Sequence, residues 1–433
     1  MRSRTNLNLM LALLLVGAAP AVEFMSPEEL TPGMKGYGLS VFSGQRPERF
    51  EVEIIDVMPD IVQKRDMILF RASGMDLEKS GIISGMSGSP VYVDGRLIGA
   101  IAYGWNFAKD PVGGITPIRE MVELWDMPAA PVRKTGSGRM LPAELGRTGF
   151  SLLSVPVALS GFSPGLVGVI GPALEEHGLM PVATAGNPAS TLSPAQLDSL
   201  LVPGGVLGVP LIDGDVSMGA IGTITHREDN RLLAFGHSMF QAGAVEIPVS
   251  AGIIHSILPS TLSSFKLFSM TTVVGTMTQD RLPAVGCIIG PKPFMTAVQA
   301  RLKSPVTDQS YEFRTVDHPG LTPLLVGIGL AQSVFSTEGT LEQMTLTSTM
   351  TVTVEDTAEV KVKHTFAGEN PADPLFSTTV SELQALTDNR IRPLAISAVD
   401  FELEFKPGER VLRITSARLD RRSARPGETV GIT

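Results

Sequence analysis

Short runs of alternating apolar and polar residues, separated by glycine, proline and polar turns, make up most of the chain. This period of two is typical of half-buried β-strands, and closely spaced turn residues favour antiparallel pairing. The sequence therefore predicts a mainly β protein. The predicted strands are 36–43, 49–57, 66–71, 88–93 and 97–103 in the first third, and 205–212, 219–226, 232–235, 270–275 and 284–289 further along.

A few segments carry a helical pattern instead, at 117–125, 163–177 and 380–386. The second of these begins with an N-cap serine and a first-turn proline, and strands are predicted on both sides of it, at 151–157 and 180–185. This arrangement favours a small α/β insertion. Alternation then returns near the C-terminus and favours a β-sandwich-like module, with strands at 345–354, 359–364, 400–405 and 410–417.

The N-terminus has the form of a signal peptide. Arg2 and Arg4 precede an apolar run, Leu9–Val16, which is followed by Ala19-Pro20-Ala21. A charged start, a short apolar run and a small-residue cleavage site predict export and cleavage after Ala21. No later segment has 18 uninterrupted apolar residues, so we expect no integral membrane span after signal cleavage.

Composition narrows the functional classes. The 433 residues include 44 Gly and 32 Pro, with 43% hydrophobic and 18% charged residues, a mix that suits β-rich domains with many turns. The net charge of −9 and the absence of a long basic run argue against nucleic-acid binding. Cys287 is the only cysteine and cannot form an intrachain disulfide, and no Cys/His cluster has zinc spacing. We therefore predict no metal and no cofactor; the sequence does not indicate an oligomeric state.

The candidate chemistry begins at Gly85-Met-Ser-Gly-Ser-Pro90, a serine within a glycine-bounded turn that leads straight into a predicted hairpin. Small residues let the backbone bend tightly and direct its N–H groups at one spot. A serine nucleophile with an adjacent oxyanion needs that geometry. Glycine–serine turns are also common structural bends, so the motif alone leaves both interpretations open.

A serine nucleophile needs a general base, and the chain has six histidines. His237 follows a predicted strand that ends at Gly236, where an imidazole can be presented at the lip of a barrel. The others suit structural positions: His177 in a last helical turn, His226 at a solvated hairpin tip, His255 on an apolar stretch, and His318 and His364 in the C-terminal region. Elimination leaves His237 as the candidate base.

The motif and its downstream segments resemble known serine peptidases. Residues 85–90, with Asp94-Gly95, Leu97-Ile98-Gly99 and Ala102-Tyr103-Gly104 after them, resemble the nucleophile motif, hairpin and substrate-pairing strand of chymotrypsin-like enzymes, including the HtrA branch. The SpoIVB peptidase family uses Gly-Met-Ser-Gly-Ser-Pro itself. A second block, Ala220–Thr225 followed by Phe235-Gly-His237, resembles the histidine-bearing part of that family.

This resemblance implies roles for particular residues. Ser87 matches the nucleophile, and the N–H groups of Gly85 and Ser87 would form the oxyanion hole. His237 matches the general base. Ala102, Tyr103 and Gly104 match the strand that binds the substrate backbone. Ser89 stands where trypsin-like enzymes have glycine, which implies a structural role.

The resemblance also implies a chymotrypsin-like double β-barrel, with one departure. In the SpoIVB family the histidine block precedes the serine block, whereas here the serine block comes first, so the order is permuted. The implied domains are a signal peptide (1–21), a serine-bearing barrel (22–130), a linker with the α/β insertion (131–200), a histidine-bearing barrel (201–303) and a C-terminal β-rich module (304–433).

The acid of a catalytic triad stays open. Asp280 follows His237 at a separation similar to that between base and acid in chymotrypsin-like enzymes, and it would share a barrel with the base. Asp76 is the alternative, and a Ser–His dyad without an acid is a third possibility. Gly81 occupies the position where trypsin-like enzymes that prefer Lys or Arg have a carboxylate. We therefore expect a preference for a small or apolar side chain before the scissile bond.

Two functions fit these features. The first is an exported serine endopeptidase that acts on envelope or secreted proteins through an acyl-enzyme. The second is a catalytically inactive binding or scaffold protein of the cell envelope that retains the peptidase fold.

Overall fold

A computed structural model describes most of the chain. The predicted signal peptide (1–21) and residues 129–150, which include the start of the predicted linker segment, lie outside the described residues. The described residues are 22–62, 64–105, 107–128, 151–175, 178–184, 192–337, 344–355, 357–368, 370–389, 391, 394–410, 412 and 415–433.

The N-terminal strands form a closed antiparallel barrel of six strands. Their order is β4-β1-β2-β3-β6-β5, and β4 also pairs with β5, which closes the ring. Closure leaves no unpaired edge in the ring itself. A short helix, α1 (Leu77–Ser80), precedes the serine motif, and α2 (Ile118–Val122) follows the last strand. The strands are β1 (Lys35–Ser40), β2 (Glu48–Val62), β3 (Arg65–Ser73), β4 (Pro90–Val93), β5 (Arg96–Gly104) and β6 (Val112–Pro117).

The barrel interior explains why these residues form strands. Alternate residues of β3 face inward, so Ile68, Phe70 and Ala72 are fully buried while Arg71 and Ser73 point outward. The same core includes Met86 of the serine motif. The motif is therefore packed into the barrel rather than carried on a free loop.

The insertion after this barrel connects the two halves of the molecule. Its first strand, β7 (Ser151–Leu152), pairs with β5 of the first barrel. Next, β8 (Val155–Ser160), α3 (Pro164–Glu175) and β9 (Leu179–Thr184) form a parallel β-α-β unit. A capped helix, α4 (Pro194–Leu200), leads on to the second barrel. The predicted α/β insertion is present, although the end of the predicted helix, including His177, lies outside the described residues.

Six further strands form a second closed ring in the order β10-β13-β14-β15-β12-β11, with β10 also paired to β11. The mainly β, double-barrel fold predicted from the sequence is confirmed. The strands are β10 (Val206–Gly214), β11 (Ser217–Glu228), β12 (Arg231–Ala234), β13 (Gly243–Leu258), β14 (Phe265–Arg281) and β15 (Ala284–Ile289).

The C-terminal region continues the sheet of the second barrel, because one of its strands, β17, pairs with β10. It is β-rich as predicted, but it is one sheet covered by two helices and not a β-sandwich. The helices replace a second sheet because their apolar faces cover the same core. The elements are β16 (Met295–Lys303), β17 (Asp308–Val316), α5 (Thr322–Thr337), β18 (Met344–Val354), β19 (Val360–Gly368), α6 (Ala372–Thr387) and β20 (Ile396–Pro407).

One predicted strand, 410–417, is absent: its described residues lie outside any strand and are exposed. Alternation marks a possible strand, but a strand also needs a neighbour that can supply its hydrogen bonds. None of the helices in the described part of the chain is long and apolar enough to span a membrane.

The β13–β14 hairpin reaches from the second barrel onto the first. Gly44 and Ile254 exchange backbone hydrogen bonds of 2.7 and 2.8 Å. At the other side of the hairpin, the Ser84 N–H donates to the Ser264 carbonyl at 2.8 Å. The hairpin therefore holds the segment immediately before the serine motif, and this contact places parts of both barrels around one turn.

Candidate functional site

The serine motif forms a tight turn whose geometry depends on glycine. The Ser89 N–H donates to the Met86 carbonyl at 2.9 Å, so Ser87 and Gly88 are the central residues of a β-turn. Gly88 has a φ of +92°, which the third position of a type II turn requires and which glycine adopts without strain. Gly85 has a φ of +99° for the same reason. The small residues that the sequence suggested as a turn do form one.

The second barrel holds this turn through β11. The Thr223 N–H donates to the Ser87 carbonyl at 2.8 Å, and the Thr223 hydroxyl donates to the Gly85 carbonyl at 3.0 Å. The Thr225 hydroxyl donates to the Gly88 carbonyl at 2.7 Å. A Cβ on Gly88 would lie only 2.0 Å from the Thr223 carbonyl oxygen, so only glycine permits this approach. The position of the serine is therefore fixed by both barrels.

The Ser87 side chain is fully buried, and its Oγ has no hydrogen-bond partner in the described part of the chain. The Gly85 and Ser87 N–H groups likewise donate to no described residue. An unpaired buried polar group costs on the order of 1–3 kcal/mol, and functional sites are where such costs are retained. These N–H groups are available for an oxyanion.

The histidine block ends in a second, strained turn. The Gly236 N–H donates to the Ala234 carbonyl at 2.9 Å, which makes a three-residue γ-turn around Phe235. Phe235 has a φ of +67°, a value that costs a residue with a side chain on the order of 1–3 kcal/mol. Thr116 of the first barrel supports the turn, since its hydroxyl donates to the Gly236 carbonyl at 2.6 Å. The strained residue, Phe235, therefore lies two residues before His237.

His237 has a neutral imidazole with one ring nitrogen that is not hydrogen-bonded within the described residues. Its Nδ1 lies 2.7 Å from the Ser238 carbonyl oxygen, which can only accept, so Nδ1 carries the proton and Nε2 has the free lone pair. Burial lowers the pKa of His237 to about 4, against the hydrogen bond to Ser238, so the imidazole is uncharged at neutral pH. Nε2 is buried and has no partner among the described residues.

The two turns meet at the interface between the barrels. A Cβ on Gly88 would lie 2.4 Å from the Phe235 nitrogen, and a Cβ on Gly236 would lie 3.0 Å from the Ile101 carbonyl oxygen. That same carbonyl accepts a hydrogen bond of 2.7 Å from the Gly88 N–H. The serine and histidine blocks, predicted to form one site, are thus adjacent, but no hydrogen bond joins Ser87 Oγ to His237 Nε2.

Asp280, the predicted triad acid, makes no hydrogen bond to the His237 imidazole in this structure. Its buried carboxylate accepts N–H bonds from Met239 at 2.7 Å, Phe240 at 2.8 Å and Ala242 at 3.1 Å. Burial raises the pKa of Asp280, and these N–H groups oppose the rise. The carboxylate thus holds the loop after the histidine, and the Ser238 carbonyl takes the place of an acid at Nδ1.

The alternative acid, Asp76, lies away from this geometry. Its side chain is 86% exposed and contacts Lys79 at 3.7 Å. It is a solvated carboxylate at the start of α1. Among the described residues, neither predicted acid hydrogen-bonds the His237 imidazole, and the identity of the acid stays a prediction.

The predicted substrate strand, Ala102–Gly104, is already paired. Residues 151 and 152 of β7 lie antiparallel to it, with Tyr103 opposite Leu152 and Gly104 opposite Ser151. The Leu153 N–H donates to the Ala102 carbonyl at 2.9 Å. This edge of β5 can therefore pair with an extended peptide, and residues 151–153 of the same chain are the peptide that pairs with it here.

The other described histidines have structural partners. His226 is not solvated as predicted: it is buried and contacts the rings of Phe24 and Trp125, at ring-centroid distances of 5.4 and 5.7 Å. His255 is exposed rather than in the core, and its Nε2 lies 2.7 Å from the Ser269 hydroxyl. In the C-terminal region His318 is buried, and His364 pairs with Glu382.

Sequence reasoning missed Lys266, which lies fully buried beside the serine turn. Its Nζ lies 2.8 Å from the Ser40 hydroxyl, which also accepts a hydrogen bond of 3.0 Å from the Ser89 hydroxyl. Its side chain runs beside Gly85, where an added Cβ would lie 3.1 Å from the lysine Cδ. Burial lowers the pKa of Lys266 to about 7. The signal was present: Lys266 alternates with Phe268 and Met270 and so shares their buried face.

Comparison with known families agrees with this geometry over the first barrel. The family model described as SpoIVB peptidase S55 matches residues 25–122, which contain the whole serine motif and end before His237. Over these residues the chain is similar to a family of serine peptidases. The SpoIVB-type serine peptidase family resembled by the motif is thereby supported for this part of the chain. No curated protein matches the chain.

We predict that Lys266→Met changes how stability depends on pH. The unfolded lysine binds its proton up to its ordinary pKa near 10.5, while the folded one releases it near 7, so the free energy of unfolding should rise with pH between these values. The maximum slope is about 1.4 kcal/mol per pH unit. Urea unfolding at pH 7, 8 and 9 should show this rise in the wild type and lose it in Lys266→Met. An equal slope in both proteins would contradict the assignment.

We predict that Asp280→Asn disturbs the loop rather than the base. Asparagine has one acceptor oxygen where three N–H groups converge, so unfolding should become easier by about 1–3 kcal/mol. Labelling of Ser87 by a fluorophosphonate should slow by about tenfold or less, far below the ~10⁴-fold loss typical when a triad acid is replaced. Asp76→Asn is the matched control and should change neither quantity. A loss near 10⁴-fold in Asp280→Asn would restore the triad role.

Proposed function

We propose that the protein is an exported serine endopeptidase that cleaves envelope or secreted proteins through an acyl-enzyme. The observation that carries this proposal is the pair of buried, unpartnered atoms, Ser87 Oγ and His237 Nε2, on two turns in contact. The family match to the serine barrel supports the class of chemistry. Export rests on the signal-peptide pattern of residues 1–21.

The proposed mechanism uses residues whose positions are described above. Ser87 Oγ attacks the substrate carbonyl carbon while His237 Nε2 takes the hydroxyl proton. The N–H groups of Gly85 and Ser87 bind the oxyanion that forms. His237 then gives its proton to the leaving amine, and water attacks the acyl-enzyme with His237 again as the base. The hydrogen bond between Ser87 and His237 forms in the substrate complex, since such bonds are often loose in free enzymes.

A non-catalytic binding protein is the second candidate. Two observations favour it: Ser87 and His237 share no hydrogen bond, and the strand that would pair with a substrate is occupied. Both functions use the space along the edge of the strand Ala102–Gly104, which we call the substrate groove, so they differ in whether Ser87 reacts. Covalent labelling distinguishes them directly.

We predict that a fluorophosphonate probe labels the wild type at Ser87. Ser87→Ala should abolish labelling because it removes the nucleophilic oxygen. Ser89→Ala is the matched control: it removes a second buried hydroxyl from the same turn and should retain labelling. Intact-mass and peptide-mass spectrometry locate the adduct. Equal labelling of the wild type and Ser87→Ala would exclude Ser87 as the nucleophile.

We predict that the labelling rate follows the ionisation of His237. The base must be neutral, and burial lowers its pKa to about 4, so the rate should stay flat from pH 7 to near pH 5 and fall as the pH drops through about 4. A midpoint near the ordinary value of about 6.5 would mean an exposed base and would contradict this geometry. His237→Gln should slow labelling at least 100-fold at pH 7.

A further inference from the structure

The segment Ser151–Leu153 lies in the groove as an extended peptide would. It pairs antiparallel with the strand Ala102–Gly104, which is the geometry of β-augmentation. The pairing is short: β7 contains two residues, and the next N–H, from Leu153, donates to the Ala102 carbonyl at 2.9 Å. The strand it covers leads directly back along β5 to Ile101, the residue whose carbonyl binds the Gly88 N–H. The occupant therefore ends beside the serine turn.

Leu153 fills an apolar seat next to that turn. Its side chain is only 8% exposed and packs in one cluster with Ile83, Met86 and Ile101. Gly104 makes room for it, because a Cβ there would lie 2.8 Å from the Leu153 Cδ2 atom. The Leu153 side chain is therefore surrounded by apolar side chains on its buried side, an environment that suits a leucine-sized aliphatic group and in which burying a charge would be costly.

Open space continues beside the occupant. A cleft of about 330 Å³ borders both Leu152 and Leu153 and extends past Gly81, Ser84 and Trp105 to Ser264 on the β13–β14 hairpin. The segment that fills the groove is thus at the surface of a cavity rather than deep in a core. After Leu153 the chain enters β8 within two residues, so the occupant stays tethered when it leaves the groove. A two-residue strand with few hydrogen bonds opens at low free-energy cost.

We propose that residues 151–153 are an internal occupant of the substrate groove, and that the groove takes extended peptides with a leucine-like residue before the scissile bond. The inference rests on the proposed peptidase function and deepens it: it names both the substrate class and a built-in competitor for the same site. A substrate binds only when the segment is displaced. We infer the preference for a leucine-like residue from Leu153, because its side chain occupies the position that the substrate side chain would take.

The test uses peptide phosphonates that react covalently with serine nucleophiles. One probe has the sequence acetyl-Ser-Leu-Leu, copied from residues 151–153, with a diphenyl phosphonate at its C-terminus; its analogue ends in lysine. We expect the leucine probe to label the wild type at least tenfold faster than the lysine probe. Equal rates, or faster labelling by the lysine probe, would overturn the substrate class without requiring any variant.

Variants test the occupancy. Leu153→Gly removes the side chain that seats the segment, so labelling by the leucine probe should become at least fivefold faster. Leu179→Gly is the matched control, because it removes a buried leucine of the same insertion from β9, away from the groove. If both variants label at the wild-type rate, or if both accelerate equally, the occupant does not block the groove.

The failure of the inference and that of the proposed function give different results. Labelling of Ser87 by a simple fluorophosphonate without leucine preference, or without acceleration in Leu153→Gly, overturns the inference alone. Absence of Ser87-dependent labelling by every probe, in both the wild type and Leu153→Gly, overturns the peptidase function together with it. Urea unfolding of each variant checks that the barrels remain folded.

Discussion

The close approach of the serine turn to the second barrel is the contact on which the site depends. At Gly88 the two backbones lie so near that an added Cβ would be 2.0 Å from the Thr223 carbonyl oxygen. Hydroxyls of Thr223 and Thr225 then hold two carbonyls of the turn. Because the turn is bonded to β11 and the histidine follows the adjacent β12, the reactive residues are positioned by one interface. The permuted order of the two blocks along the chain is compatible with this arrangement.

Much of the fold follows from local patterning, and the errors have physical causes. The strands around the serine motif were predicted within a few residues because they alternate cleanly. The long strand β13 (Gly243–Leu258) was missed, since Pro248 and Gly252 interrupt its pattern while pairing through β-bulges sustains it. The prediction of a C-terminal β-sandwich was wrong because the helix α5 was not recognised. This helix is apolar on almost every face, and a helix buried on all sides shows no amphipathic period in its sequence. Tertiary contact supplied what local sequence did not indicate.

For the candidate site, sequence resemblance suggested Ser87 and His237 but not the groups around them. The predicted acid, Asp280, is buried in the right barrel, yet its oxygens are taken by three N–H groups of the loop. The number of residues between a base and a carboxylate does not indicate which groups that carboxylate will hydrogen-bond. His237 instead donates from Nδ1 to the backbone carbonyl of Ser238. Because every residue has a backbone carbonyl, no residue type in the sequence could indicate this partner. Lys266 was missed because its partner, Ser40, is more than 200 residues away in sequence.

The β13–β14 hairpin has a consequence for how this protein is divided. The family match ends at residue 122, which suggests a module that could be cut out and studied alone. Yet Lys266, Ser264 and Ile254, which hold the first barrel at Ser40, Ser84 and Gly44, all come from the hairpin. A fragment ending near residue 122 would keep the serine motif and lose the hairpin residues that hydrogen-bond to the first barrel. The two barrels therefore form one structural unit, and neither could be exchanged alone without rebuilding the serine turn.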